Sequence, residues 1–175
     1  MIIIGLLGKA GSGKTSVAKY LQLKGFRIIS FAGPIKELAR EYFGLTAEEV
    51  YETKPPHART ILQGIGSLIR EQIDENYFIQ EAANKIRYAD LQAQLFCIDD
   101  VRLMAEAQFI KDLGGIVVKI ECPDSPCALT EQAQAHITEQ IDLIIPYDHL
   151  ISAEYGNVER LYNGIEDILS SETAS

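Results

Sequence analysis

A three-layer α/β/α fold around a parallel five-stranded sheet is the architecture this sequence predicts, and three observations predict it. Short, unbroken apolar runs recur along the chain, as in strands buried on both faces. Stretches with apolar residues at helical spacing separate them. The first run leads through a glycine-rich turn directly into a helical pattern, the beginning of a strand–loop–helix unit. Strands alternating with helices imply a parallel sheet covered on both sides.

The elements follow in order. Residues 2–7 (IIIGLL) form the first strand. After the glycine turn, Val17, Tyr20, Leu21 and Lys24 fall on helical spacing, and Gly25 supplies a stop. Residues 26–31 form a second strand, and Pro34, tolerated in a first turn, opens a helix to about residue 42. Residues 58–73 make the clearest amphipathic helix, with Ile61, Leu62, Ile65, Leu68 and Ile69 as its apolar face. A further helix runs to about residue 88. Strands are expected at 94–98, 115–121 and 149–153, and helices at 101–113 and 158–169, with a frayed tail SSETAS. Segments 34–90 and 123–146 do not alternate and read as insertions in a single domain, 1–175: a helical acceptor-binding insertion and a short lid.

Composition limits the function. The 175 residues are 47% hydrophobic and 23% charged, which suits one soluble domain with one sizeable core. A formal charge of −9 argues against nucleic acid or an anionic membrane as main partner. An anionic ligand must be captured by a local cluster of Lys and Arg. Cys97, Cys122 and Cys127 lack the histidine or second pair that a zinc site needs, so structural roles are expected. The run at 2–7 has no basic flank and is too short for a signal peptide, and no run reaches membrane-span length. A reducing cytoplasm is the expected compartment.

Residues 8–15 read GKAGSGKT, the phosphate-loop pattern in full. Glycines let successive N–H groups curl around an anion, the following helix adds its positive end, and Lys14 adds a full charge. Thr15 offers a hydroxyl to Mg²⁺ held on the same phosphates. Gly8, Gly11, Ser12, Gly13, Lys14, Thr15 and Ser16 are therefore the candidate nucleotide contacts, with ATP as ligand. The fold expected is that of a P-loop NTPase.

Two further groups carry chemistry. In LFCIDDVR (95–102), Asp99 and Asp100 leave the apolar run and Arg102 follows. An acidic residue at a strand end can order the magnesium shell or activate an acceptor oxygen, while one of the pair can simply cap the helix expected from Val101. On the helix 58–73, Arg59, Gln63, Gly66 and Arg70 fall within roughly 60° of one another. Two guanidinium forks suit bidentate phosphate contact and an amide can read a base edge. Close approach of a ligand would account for the glycine, whose alternative is a solvated face.

The ordered set FAGPIKELA (31–39), ARTILQGIGSLIR (58–70), IDDVRLMAEAQFIKDLGG (98–115) and HITE (136–139) resembles the phage-type deoxynucleoside monophosphate kinases, over nearly the whole chain. The resemblance implies transfer of the ATP γ-phosphate to a (deoxy)nucleoside 5′-monophosphate. It implies that Arg59, Gln63 and Arg70 line the monophosphate site with Lys36 near its entrance, that Lys14 and Arg102 act on the transferred group, and that Asp100 serves magnesium or acceptor. His136 and Glu139 match the family segment without an assigned role. One departure stands out: residues 123–158 contain no Lys or Arg, so closing charge must come from Lys14, Arg102, Lys111 or the 59–70 helix. A related kinase of phosphomevalonate type and a non-catalytic nucleotide-binding module are the alternatives. Monomer and homodimer are both compatible with the sequence.

Overall fold

The computed structural model describes residues 1–89, 94–125 and 145–173. The chain divides into two compact units, one of residues 1–29 with 90–175 and one of residues 30–89.

The first unit holds the sheet. Strands β1 (Ile2–Leu7), β2 (Arg27–Ile29), β3 (Leu95–Val101), β4 (Ile116–Glu121) and β5 (His149–Ser152) lie in the order β2-β3-β1-β4-β5. Every pairing is parallel, which explains why the runs at β1, β3 and β4 are apolar without alternation. On one face, Ile4, Leu6, Cys97, Val118, Ile120 and Ile151 pack with Val17 and Leu21 of α1 (Lys14–Leu23) and with Leu161 and Ile165 of the C-terminal helix, Val158–Thr173. The other face receives the helix Met104–Asp112. A Cβ built on Gly5 would lie 2.4 Å from Ile110 Cδ1, so that helix approaches β1 closely. The result is the three-layer arrangement expected.

The second unit is helical: α2 (Gly33–Phe43), α3 (Ala47–Tyr51), α4 (Pro56–Gln72) and α5 (Tyr77–Arg87). Ala39, Leu45, Val50 and Ala58 form its small core, with Ile61, Leu62 and Ile65 of α4 packed against them. The helix Met104–Asp112 is accordingly α6 and Val158–Thr173 is α7.

Several boundaries differ from expectation. The second strand is three residues rather than six. Leu68 is 60% exposed and leaves the apolar face of α4 to Ile61, Leu62, Ile65 and Ile69. The short α3 was not expected; Thr46 and Glu49 cap it reciprocally, the Glu49 N–H donating to Thr46 Oγ1 at 3.2 Å and the Thr46 N–H to Glu49 Oε2 at 2.8 Å. The closing helix reaches Thr173, into the stretch expected to fray. No described helix is long and apolar enough to cross a membrane.

Candidate active site

The glycine loop joins β1 to α1, in the context the motif requires. Gly8 has φ of 149° and Gly13, which precedes α1, has φ of 100°. L side chains rarely adopt such conformations. Space forbids them as well: a Cβ on Gly8 would lie 2.3 Å from the Ile120 carbonyl oxygen, and one on Gly13 2.6 Å from Leu161 Cδ1. β4 therefore floors the loop and α7 backs its exit.

Lys14 Nζ donates to the carbonyl oxygens of Gly8 and of Lys9 (2.6 Å) and reaches Ser12 Oγ at 3.5 Å. Ser12 is buried, whereas Thr15 in the first turn of α1 is exposed. Ser125, just beyond β4, donates its hydroxyl to the Gly11 carbonyl at 3.3 Å, a contact the sequence did not suggest. The backbone cradle, the ammonium and the exposed Thr15 hydroxyl suit a polyphosphate with its magnesium. Among the described residues there is no group of three or more His, Cys, Asp or Glu that could hold a metal ion.

Asp99 and Asp100 are not helix caps. β3 continues to Val101, and the register with β1 shifts: Gly5 pairs with Ile98 but Leu7 with Val101, placing one extra residue on β3. Such a bulge re-aims side chains at a strand end. It leaves Asp99 and Asp100 half-buried beside a fully buried Val101. The cap of α6 comes from Glu106 instead, whose Oε2 accepts from the N–H groups of Arg102 (2.7 Å) and Leu103 (3.0 Å). That buried carboxylate fixes the backbone carrying Arg102. On the same strand, Cys97 is a core residue; burial pushes its thiol well up, and Asp99 and Asp100 add to the effect.

Lys111, counted among the possible sources of closing charge, is ion-paired to Asp148. Asp148 also accepts from the Val117 N–H at 2.8 Å. Burial works to raise its carboxyl, but Lys111 and Val117 overcome this and hold it below the usual value.

In the helical unit, Arg70 lies over the Phe78 ring at 4.8 Å and Lys36 over the Tyr51 ring at 5.3 Å, with Lys36 Nζ donating to Ser30 Oγ at 3.4 Å. Arg59 is exposed and donates from Nε to the Lys54 carbonyl at 2.8 Å; Gln63 is exposed. Gly66 is not an open gap: it is buried, and a Cβ there would meet Ile35 Cδ1 at 3.2 Å and Arg70 Nη1 at 3.3 Å. The glycine admits α2 and the Arg70 side chain. His136, Glu139 and Cys127, with most of the lid segment, lie outside the described residues.

Residues 43–165 match the family model described as deoxynucleotide monophosphate kinase. The chain belongs to that family. A protein of Acanthamoeba polyphaga mimivirus named "Putative deoxynucleotide monophosphate kinase" is 31% identical over 184 residues, covering 90% of this chain and 94% of its own. Membership in the deoxynucleotide monophosphate kinase family makes the chain a nucleotide kinase by kinship, and that kinship implies ATP. Solved structures show the fold. Dephospho-CoA kinase from Campylobacter jejuni superposes with a TM-score of 0.54 at 16% identity, covering 99% of both chains. TT1252 from Thermus thermophilus gives 0.53 at 18%, covering 97% of both, and shikimate kinase from Aquifex aeolicus 0.51 at 15%, covering 99% of both.

Proposed function

We propose that the protein transfers the γ-phosphate of ATP to a (deoxy)nucleoside 5′-monophosphate, giving the diphosphate, in the cytoplasm. The observation that carries this reading is the wound phosphate loop between β1 and α1 in a chain whose residues 43–165 match the deoxynucleotide monophosphate kinase family. The whole chain works as one kinase domain, with residues 34–90 taking the acceptor and 123–146 acting as lid.

Phosphoryl transfer asks for in-line placement and neutralisation of spreading negative charge more than for covalent help. The N–H groups of residues 8–16 and the Lys14 ammonium hold the donor phosphates. Thr15 and Asp100 would hold Mg²⁺, which would supply charge neutralisation of the phosphates. Arg102, on backbone fixed by Glu106, serves the transferred group. Arg59 and Arg70 hold the acceptor phosphate with Lys36 near the entrance of its site, and Gln63 reads its base. Of these forks, Arg70 is held over the Phe78 ring and Arg59 by the Lys54 carbonyl.

The test is ADP formation across ribo- and deoxynucleoside monophosphates with Mg·ATP. Turnover with at least one is expected. ATP binding with no turnover on any of them would favour a second reading, a nucleotide-binding module, which the absence of Lys and Arg from residues 123–158 motivates. Turnover with phosphomevalonate alone would move the chain to that acceptor class.

A further inference from the structure

β4 carries a charge that the phosphate loop and the acceptor helix leave without a role. Lys119 sits between Val118 and Ile120, both fully buried, in a strand that is apolar up to it, and its own side chain is only 9% exposed. An ammonium in such a place costs several kcal/mol unless paired, and a valine or isoleucine would pack there without that cost. It is paired: Nζ lies 2.6 Å from Glu121 Oε1 and 5.3 Å from the centre of the Tyr147 ring. Strand alternation puts Lys119 on the face opposite Val118 and Ile120, which belong to the α1–α7 core. Its position along the strand is informative. Lys119 is the register partner of Leu7, the residue immediately before the loop, and the carbonyl of the next residue, Ile120, lies against Gly8. Lys119 thus lies in the carboxyl half of β4, toward the edge of the sheet where ligands of open α/β sheets bind.

The charge balance of the chain makes this cation useful. Residues 123–158 supply no Lys or Arg, and Lys111 is committed to Asp148. Positive charge for a polyphosphate must come from fixed elements. We propose that Lys119 is a phosphate-binding residue of the donor site, and that nucleotide phosphate competes with Glu121 for its ammonium. Glu121, 40% exposed, stays within reach of solvent when the lysine turns away. The proposal rests on the phosphate loop being a nucleotide site and does not depend on which acceptor is used.

The experiment is calorimetric titration of the full chain with ATP and, separately, with inorganic tripolyphosphate, for wild type, Lys119→Met, Lys119→Arg and Glu121→Gln. Lys119→Met should weaken both ligands by about tenfold or more, the loss of one charge-assisted contact. Lys119→Arg should recover most of that, and Glu121→Gln, which weakens the competitor, should tighten both. Unchanged affinity in Lys119→Met overturns the proposal, as does a loss confined to ATP, which would place the effect at base or sugar. If Lys119→Met does not fold, Glu121→Gln decides: tighter binding supports the proposal, and unchanged or weaker binding overturns it. If wild type binds both ligands and turns over no monophosphate, the kinase reading fails while these titrations still stand or fall alone.

Discussion

At the scale of residues, the two charged groups proposed for donor and acceptor should separate in kinetics. Lys14→Ala removes the ammonium proposed to hold the donor phosphates and should lower turnover by roughly 10²–10³-fold, read as kcat. Arg70→Ala should raise the acceptor KM about tenfold or more while leaving ATP affinity within about twofold. Equal effects of both changes on ATP affinity would remove Arg70 from the acceptor. What could be read in advance follows from how the information is written. The loop at 8–15 is a contiguous pattern whose spacing is its meaning, so its placement after a strand was legible. The positions of Asp99 and Asp100 were not, because the bulge in β3 arises from pairing with β1, and no single segment records a register shift. Lys119 was overlooked because one charged residue in an apolar run does not alter the strand pattern, and only burial shows that its charge is enclosed.

At the scale of elements, α4 contains two glycines with different roles. Gly64 is exposed, and a Cβ added to it would meet nothing within 4 Å, whereas Gly66 faces Ile35 and Arg70. Gly64→Ala should therefore stabilise the protein by about 0.5–1 kcal/mol, the helix-propensity gain without a clash. Thermal unfolding that shows a lower Tm for this variant would contradict that view of α4. Helix starts were the least legible boundaries. α6 begins three residues later than its apolar spacing suggests because its cap is a glutamate reaching back from inside the first turn, not an aspartate before it. The cap of α3 was written in the sequence as Thr46-x-x-Glu49, yet five residues carry too little periodicity to announce a helix.

At the scale of the molecule, Asp148 joins α6, β4 and the entry to β5 through Lys111 and Val117. Its carboxyl is held below the usual value near 3.8, so its stabilisation is complete above that pH and is lost as pH falls through the lower, folded value. Asp148→Ala should cost about 1–2 kcal/mol at neutral pH, chiefly by leaving the Val117 N–H without its acceptor. In denaturant titrations the gap from wild type should narrow as pH falls below the usual carboxylate value and through the lower, folded one. A gap independent of pH would mean the ion pair contributes nothing. The sheet order has a further consequence for synthesis. β1 pairs with β3 and β4 and not with β2, so the first strand made has no neighbour until residue 95 has left the ribosome. At 5–20 residues per second, its apolar run waits unpaired for roughly 5–20 s. A fragment ending at residue 94 should accordingly be aggregation-prone and show no cooperative unfolding, and nascent chains of that length are where a chaperone would be needed most.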